Sequence, residues 1–132
     1  MAKPFRKYRF PWRGGNRFEL LVDGERFFPA MLGAIEGARS HVLLEMYLVA
    51  SGALTSRFVE ALIHAATRGV TVCVLLDDFG AGWFSRGDRT RLTGAGVRLA
   101  LYNPFRYGRL RRSLFRDHRK LLLVDGRLAF TG

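Results

Sequence analysis

A histidine and a lysine two positions apart, near the carboxyl end of the chain, are the residues best suited to catalysis. His118 directly precedes, and Lys120 lies within, the segment Arg119–Val124, whose apolar residues predict a strand. Alternate residues of a strand face the same side, so both side chains are expected to leave one face, about 7 Å apart. A neutral imidazole can attack phosphorus, and a neighbouring ammonium can stabilise the negative phosphoryl oxygens. The pair therefore predicts chemistry on a phosphodiester, with no metal and no other cofactor.

Two carboxylates are further candidates, and each has a structural alternative. Asp125 precedes Gly126 between two apolar runs, which is typical of a hairpin turn, although a carboxylate there can also orient nearby cations. Glu45 lies within the apolar segment HVLLEMYLV, where a carboxylate is costly unless it is paired or near water. It either pairs with an arginine or a backbone donor, or faces a phosphate pocket beside Tyr47 and orders His118 or Lys120.

The charge of the chain indicates a phosphate-bearing partner. The 132 residues include 22 Lys and Arg against 11 Asp and Glu, a net charge of +11, and nineteen of the cations are arginine. Guanidinium binds phosphate oxygens in a bidentate manner, so the excess of arginine favours a partner that carries phosphate. Genomic base composition is an alternative cause of the same excess of arginine. The segment Arg106–Lys120 holds seven cations and one acid, so it is either a solvated loop or a site that recruits anionic substrate at a membrane surface. Its candidate substrate-binding residues are Arg109, Arg111, Arg112 and Arg116.

Several classes of protein are excluded by composition. The single cysteine, Cys73, excludes a disulfide framework and a thiolate zinc cluster. No apolar run approaches the length of a membrane-spanning helix. The basic amino terminus lacks the apolar core of a secretory signal, so the chain is expected to be cytoplasmic, with contact to a membrane surface left open.

The pattern of apolar residues predicts an α/β domain over 18–132, preceded by a basic-aromatic arm over 1–17. The expected sheet is mixed but mostly parallel, flanked by helices, and ends in a hairpin around Asp125-Gly126. The predicted strands are Phe18–Val22 (followed by a turn at Asp23-Gly24), His41–Val49, Val70–Leu76, Val97–Tyr102, Arg119–Val124 and Arg127–Thr131. The predicted helices are Phe27–Ala38, Thr55–Arg68, capped by Thr55 or Ser56, and Ser85–Thr93, capped by Ser85.

The composite string H-x-K-x4-D-x6-G is fitted by His118, Lys120, Asp125 and Gly132. It is the signature of the phospholipase D superfamily, and residues 16–132 resemble the first half of a bacterial cardiolipin synthase of the phospholipase D type. The resemblance rests also on the runs LLEMYLV, RGVTVCVLLDDFGA and GAGVRLALYNPF. It implies a phospholipase D-like half-domain that transfers a phosphatidyl group from phosphatidylglycerol through a phosphohistidine. His118 would then be the nucleophile, Lys120 would steady the phosphate, and Asp125 would hold the third motif position.

The sequence also departs from this family, whose active site uses two such motifs. Here there is one, because His41 and His64 have no lysine two residues later. The 132 residues are therefore expected to be an amino-terminal fragment of a two-motif enzyme, inactive alone, with a homodimer as the alternative. The resemblance implies a peripheral location on the cytoplasmic side of the bacterial inner membrane. Two other functions stay open, a phosphodiesterase or nuclease acting on nucleic acid and a non-catalytic basic membrane-binding module.

Overall fold

The computed structural model of the chain describes residues 11–104 and 115–132. Within these ranges the chain forms helices and strands in the order expected of an α/β domain. The helices are α1 (Asp23–Glu36), α2 (Ala53–Thr67) and α3 (Arg86–Gly94), and the strands are β1 (His41–Met46), β2 (Thr71–Asp77), β3 (Arg98–Tyr102), β4 (Lys120–Val124) and β5 (Leu128–Thr131). The last four strands begin and end within one residue of their predicted bounds.

The strands form one mixed sheet in the order β3-β2-β1-β4-β5. β1, β2 and β3 are parallel, whereas β4 runs antiparallel to β1 and β5 antiparallel to β4. The β4–β5 turn has positive φ at Asp125 (52°) and Gly126 (64°), as the Asp-Gly hairpin signal predicts. The predicted α/β class and carboxyl-terminal hairpin are therefore confirmed.

The three helices pack on one another and cover one face of the sheet. Alternate strand residues such as Val42, Val72 and Leu122 are buried beneath them. The opposite face is only partly covered by the described residues, since Leu43 is 39% exposed and Leu123 is half-buried. The almost continuous apolar run His41–Val49 is typical of a strand covered on both faces, whereas the described residues cover mainly the helix face of β1.

The predicted strand Phe18–Val22 does not form, and Asp23 begins α1 instead of a turn. Phe18 and Leu20 are 93% and 84% exposed, and no described strand pairs with this segment. A short apolar segment forms a strand only where a neighbour satisfies the backbone hydrogen bonds. The Asp23 carboxylate accepts a hydrogen bond from the N–H of Glu25 (3.1 Å), which favours the start of a helix.

A side chain caps the start of α3, whereas no side chain caps the start of α2. The hydroxyl of Ser85 accepts from the N–H of Asp88 at 3.0 Å, which confirms the predicted cap of α3. By contrast, α2 begins at Ala53 rather than Thr55, and Gly52 caps it without a side chain. The Thr55 hydroxyl donates to the carbonyl of Ala50 (2.6 Å), so it fixes the preceding loop rather than the helix end.

Asp125 ties the β4–β5 turn to the start of β1. Its carboxylate accepts from the N–H groups of Arg39, Ser40 and His41 at 2.8–2.9 Å, and its own N–H donates to the His41 carbonyl. These backbone hydrogen bonds lower the pKa of Asp125 to about 2. The carboxylate therefore stabilises the β1–β4 pair at the end of the sheet remote from Lys120.

We predict that Asp125→Asn lowers the free energy of unfolding at neutral pH. Asparagine tolerates the positive φ and keeps the volume, but it lacks the negative charge and one of the two acceptor oxygens, as the protonated carboxyl group does. The folded-state pKa lies below the ordinary value of 3.8, so the charge stabilises the fold above that value and ceases to do so as the pH falls through about 2. Urea unfolding across this range should show the gap between variant and wild type closing in acid. A gap that stays constant with pH would contradict the assignment.

Candidate active site

The carboxyl ends of the parallel strands and the amino end of β4 meet at one edge of the sheet. Met46 pairs with Lys120 across β1 and β4, and Asp77 pairs with Tyr102 across β2 and β3. This edge, with the segment 115–119 that leads into β4, is called the site edge below. In open α/β sheets the carboxyl ends of the strands are where ligands bind.

His118 is exposed at the site edge and stacks on the ring of Tyr47. The ring centroids are 4.1 Å apart and the planes differ by 17°. Tyr47 itself packs against Gly80, where an added β-carbon would lie 1.9 Å from the Tyr47 carbonyl oxygen. Only glycine fits there, so the loop after β2 fixes Tyr47, and Tyr47 orients the imidazole.

Lys120 and His118 do not share a strand. β4 begins at Lys120, so His118 precedes it, and the strand alternation that predicts a common face does not apply to the pair. His118 lines a hollow with Tyr102 and Arg119, whereas Lys120 lines an apolar cavity on the helix side of the sheet. Lys120 is exposed and forms no ion pair with a described residue.

Glu45 forms a charged cluster with Asp117 and Arg119 on the partly covered face. The Arg119 guanidinium lies 3.4 Å from the Glu45 carboxylate and 3.9 Å from that of Asp117. The contact between the two carboxyl groups raises the pKa of Glu45 and lowers that of Asp117. Of the two alternatives stated for Glu45, the structure shows the pairing with an arginine. The other two members of the cluster, Asp117 and Arg119, are the neighbours of His118 in the sequence.

The buried carboxylate of Asp77 anchors the segment that carries His118. Its Oδ1 accepts from the N–H groups of Phe79 (3.0 Å) and Gly80 (3.1 Å), and its Oδ2 accepts from the N–H of Asp117 (3.0 Å). The side chain of Asp77 is fully buried, and Arg116 lies 3.5 Å from it. In the sequence, Asp77 and Asp78 end a predicted buried strand, where either a ligand site or a helix cap is expected, and the structure shows that Asp77 instead anchors two backbone segments.

Of the four predicted substrate-binding arginines, the structure describes only Arg116. Arg116 pairs with Asp77, donates to the Asn103 carbonyl and lies over the Phe79 ring. Its guanidinium therefore stabilises the packing of the site edge. Arg109, Arg111 and Arg112 lie outside the described residues, as does most of the basic-aromatic arm. Arg119, which sequence analysis did not single out, is 74% exposed beside His118.

Asp125 does not join the other motif residues. It lies five positions after Lys120, which corresponds to about 16 Å along an extended strand. It therefore contacts no group bound at His118, and the structural alternative stated for it agrees with the hydrogen bonds described above. The motif therefore extends along β4, with the candidate catalytic residues at its amino end and Asp125, which stabilises the fold, just beyond its carboxyl end.

In residues 11–104 and 115–132, His, Cys, Asp and Glu side chains form no group of three that could hold a metal ion. Over the same ranges, none of the helices combines the length and the apolar content needed to cross a bilayer.

Similarity to solved structures identifies the fold class. The phospholipase D family member Nuc from Salmonella typhimurium matches with a TM-score of 0.53 and 22% identity, covering 74% of this chain and 56% of that one. NucT from Helicobacter pylori matches with a TM-score of 0.58 and 15% identity, covering 82% of this chain and 65% of that one. The fold is that of a phospholipase D-like domain.

Sequence comparison identifies the family within that class. Residues 31–132 match the family model described as Cardiolipin synthase, PLD-like domain. Cardiolipin synthase B of Salmonella typhi is 39% identical over 123 residues, and a probable cardiolipin synthase of Bacillus subtilis is 32% identical over 118. These matches cover 92% and 89% of this chain but only 30% and 24% of those proteins. The chain belongs to the cardiolipin synthase family of phospholipase D-like domains.

We predict that Asp77→Ala destabilises the protein more than Asp77→Asn. Alanine leaves the N–H groups of Phe79, Gly80 and Asp117, and the nearby Arg116, without their buried acceptor, at a cost of about 3–5 kcal/mol. Asparagine keeps the volume and one acceptor oxygen, so its cost should be about 1–3 kcal/mol. The measurement is the free energy of unfolding in urea. Equal stability of Asp77→Ala and wild type would show that Asp77 is no anchor.

Proposed function

We propose that this chain supplies the nucleophile for phosphatidyl transfer in cardiolipin synthesis, with phosphatidylglycerol as the donor lipid. The observation that carries the proposal is the exposed imidazole of His118, oriented by Tyr47 at the site edge. Membership of the cardiolipin synthase family supports the choice of a phospholipid substrate. The net charge of +11 supports a peripheral encounter with an anionic membrane surface, which we place on the cytoplasmic side of the inner membrane.

The chemistry has two steps. A lone pair of the neutral His118 imidazole forms a P–N bond, and the P–O bond to glycerol breaks when the departing alkoxide takes a proton. The hydroxyl of a second phosphatidylglycerol then loses a proton, forms a new P–O bond and displaces the histidine. Lys120 stabilises the negative charge on the phosphoryl oxygens in both transition states.

Both steps need an acid or base that the described residues do not place beside His118. His41 lies at the far end of β1, next to Asp125, and His64 lies in α2. We therefore propose that a second motif, from another part of a longer protein or from a second copy of this chain, completes the site. The arginines 109, 111 and 112 are proposed to recruit the anionic lipid.

We predict that the isolated chain does not turn over phosphatidylglycerol but reacts once with phosphatidyl-p-nitrophenol. Nitrophenolate leaves without a proton, so this donor bypasses the missing acid. The expected result is a burst of about one nitrophenolate per chain with a phosphohistidine at His118, measured by absorbance and mass spectrometry. Lys120→Met should slow the burst about 100-fold, as the loss of one donor to a developing charge does.

The controls separate the roles of the histidines. His118→Ala should abolish the burst and His64→Ala should leave it unchanged. A burst that survives His118→Ala would overturn the assigned nucleophile. Turnover of phosphatidylglycerol by the isolated chain, abolished in His118→Ala, would show that two copies form a complete site.

A binding comparison tests the lipid against the nucleic-acid alternative. Vesicles containing phosphatidylglycerol should bind more tightly than phosphatidylcholine vesicles and than single- or double-stranded DNA over a salt series. Binding to anionic vesicles and binding to DNA both weaken as the salt concentration rises, so the slope of affinity against salt does not distinguish them. The order of the affinities at the same ionic strength does. Preferential binding of DNA, with no dependence on lipid, would overturn phosphatidyl transfer in favour of a nuclease.

A further inference from the structure

An apolar cavity of about 390 Å³ lies between the helices and the sheet, next to the site edge. Its walls come from both ends of the chain and include Phe28 of α1, Met46 of β1, Phe58 of α2 and Phe130 of β5. Lys120 is the one charged residue among the described residues that line it. The candidate catalytic lysine therefore forms part of the cavity wall.

A space of this kind favours an apolar occupant. Protein interiors are close-packed, and empty spaces larger than a water molecule are few. Water gains little in this cavity because its lining supplies almost no polar partners, and the Thr55 hydroxyl is already bonded to Ala50. The volume lies in the range of about 300–1,000 Å³ that is typical of ligand sites.

The rim of the cavity indicates what else the occupant carries. Leu48 and Leu54 line the cavity and are 66% and 37% exposed, so an apolar ligand can enter past them. Lys120 lines the same cavity, is exposed, and its ammonium complements a negative charge. An apolar body with an anionic end is the chemistry of a phospholipid.

We infer that the apolar cavity binds an acyl chain of the donor lipid, with Lys120 beside the phosphate at the cavity mouth. The identity of the lipid rests on the proposed function, whereas the apolar character of the site rests on the cavity alone. The arrangement places the tail on the helix side of β4 and leaves the phosphorus at the site edge, where His118 lies. Chain length would then affect binding independently of the chemical step.

The test measures binding of monomeric phosphatidylglycerols with acyl chains of increasing length, by calorimetry on the full chain. Affinity should rise about fourfold for each methylene that enters the cavity and level off when the cavity is full. Leu54→Trp fills the entrance and should weaken binding of the longest lipid about 15-fold, the equivalent of two methylenes. Deacylated glycerophosphoglycerol should bind both proteins equally.

Matched variants control for the substitution itself. Leu128→Trp changes a leucine that is 51% exposed on β5 and does not line the cavity, so chain-length dependence should be unchanged. Leu48→Trp is a second entrance variant at a more exposed position, and it should act like Leu54→Trp. Both entrance residues are at least one-third exposed, so neither variant disturbs the core.

The outcomes separate this inference from the proposed function. Equal affinity for lipid and glycerophosphoglycerol, or a chain-length dependence that the entrance variants leave unchanged, would overturn the acyl site. The first of these is also expected if a segment of protein, such as residues 18–22 or part of a second copy, fills the cavity. Loss of the nitrophenolate burst with chain-length dependence intact would overturn the nucleophile and leave the acyl site standing.

Discussion

The position of His118 depends on one buried carboxylate. The segment 115–119 has no secondary structure of its own, and Asp77 accepts a hydrogen bond from its backbone at Asp117. The same carboxylate binds two amides of the loop that fixes Tyr47, the residue on which His118 stacks. Because Asp77 ends a central strand, it transmits the rigidity of the sheet to both contacts. The imidazole is thus positioned from two sides by one anchor.

A strongly basic chain uses part of its charge for structure rather than for binding. Arg116 offsets the buried charge of Asp77, and Arg119 contacts the carboxyl groups of both Glu45 and Asp117. Lys120 is in no ion pair within the described part of the chain. An unpaired ammonium is available to a phosphate, whereas an arginine committed to a buried carboxylate is not. Position in the fold, not charge alone, therefore distinguishes these cations.

The start of β4 separates two environments. His118, before the strand, lines a hollow with polar residues, and Lys120, its first residue, lines the apolar cavity beneath the helices. A phospholipid has the same division, with a charged phosphodiester joined to long apolar chains. The fold of this cardiolipin synthase family member places a potential nucleophile and a potential tail site on either side of one strand end. Asp125 stabilises the other end of that strand.

The sequence by itself determined the α/β class, the strands from Thr71 onward, the Asp-Gly hairpin and the Ser85 cap. These features depend on apolar periodicity and on hydrogen bonds between near neighbours, which a linear pattern records. It also selected His118 and Lys120 as the candidate catalytic residues, through a motif confined to one segment.

Only the tertiary structure decided which side chains meet. Phe18–Val22 has the apolar content of a strand but no described partner, and His118 lies outside β4, so strand alternation does not align it with Lys120. Asp77 and Asp117 are 40 positions apart, and Asp125 reaches back 86 positions to the N–H of Arg39. The physical reason is that hydrogen bonds, burial and ion pairs act through space, so their partners are set by the packing of the sheet and not by spacing along the chain.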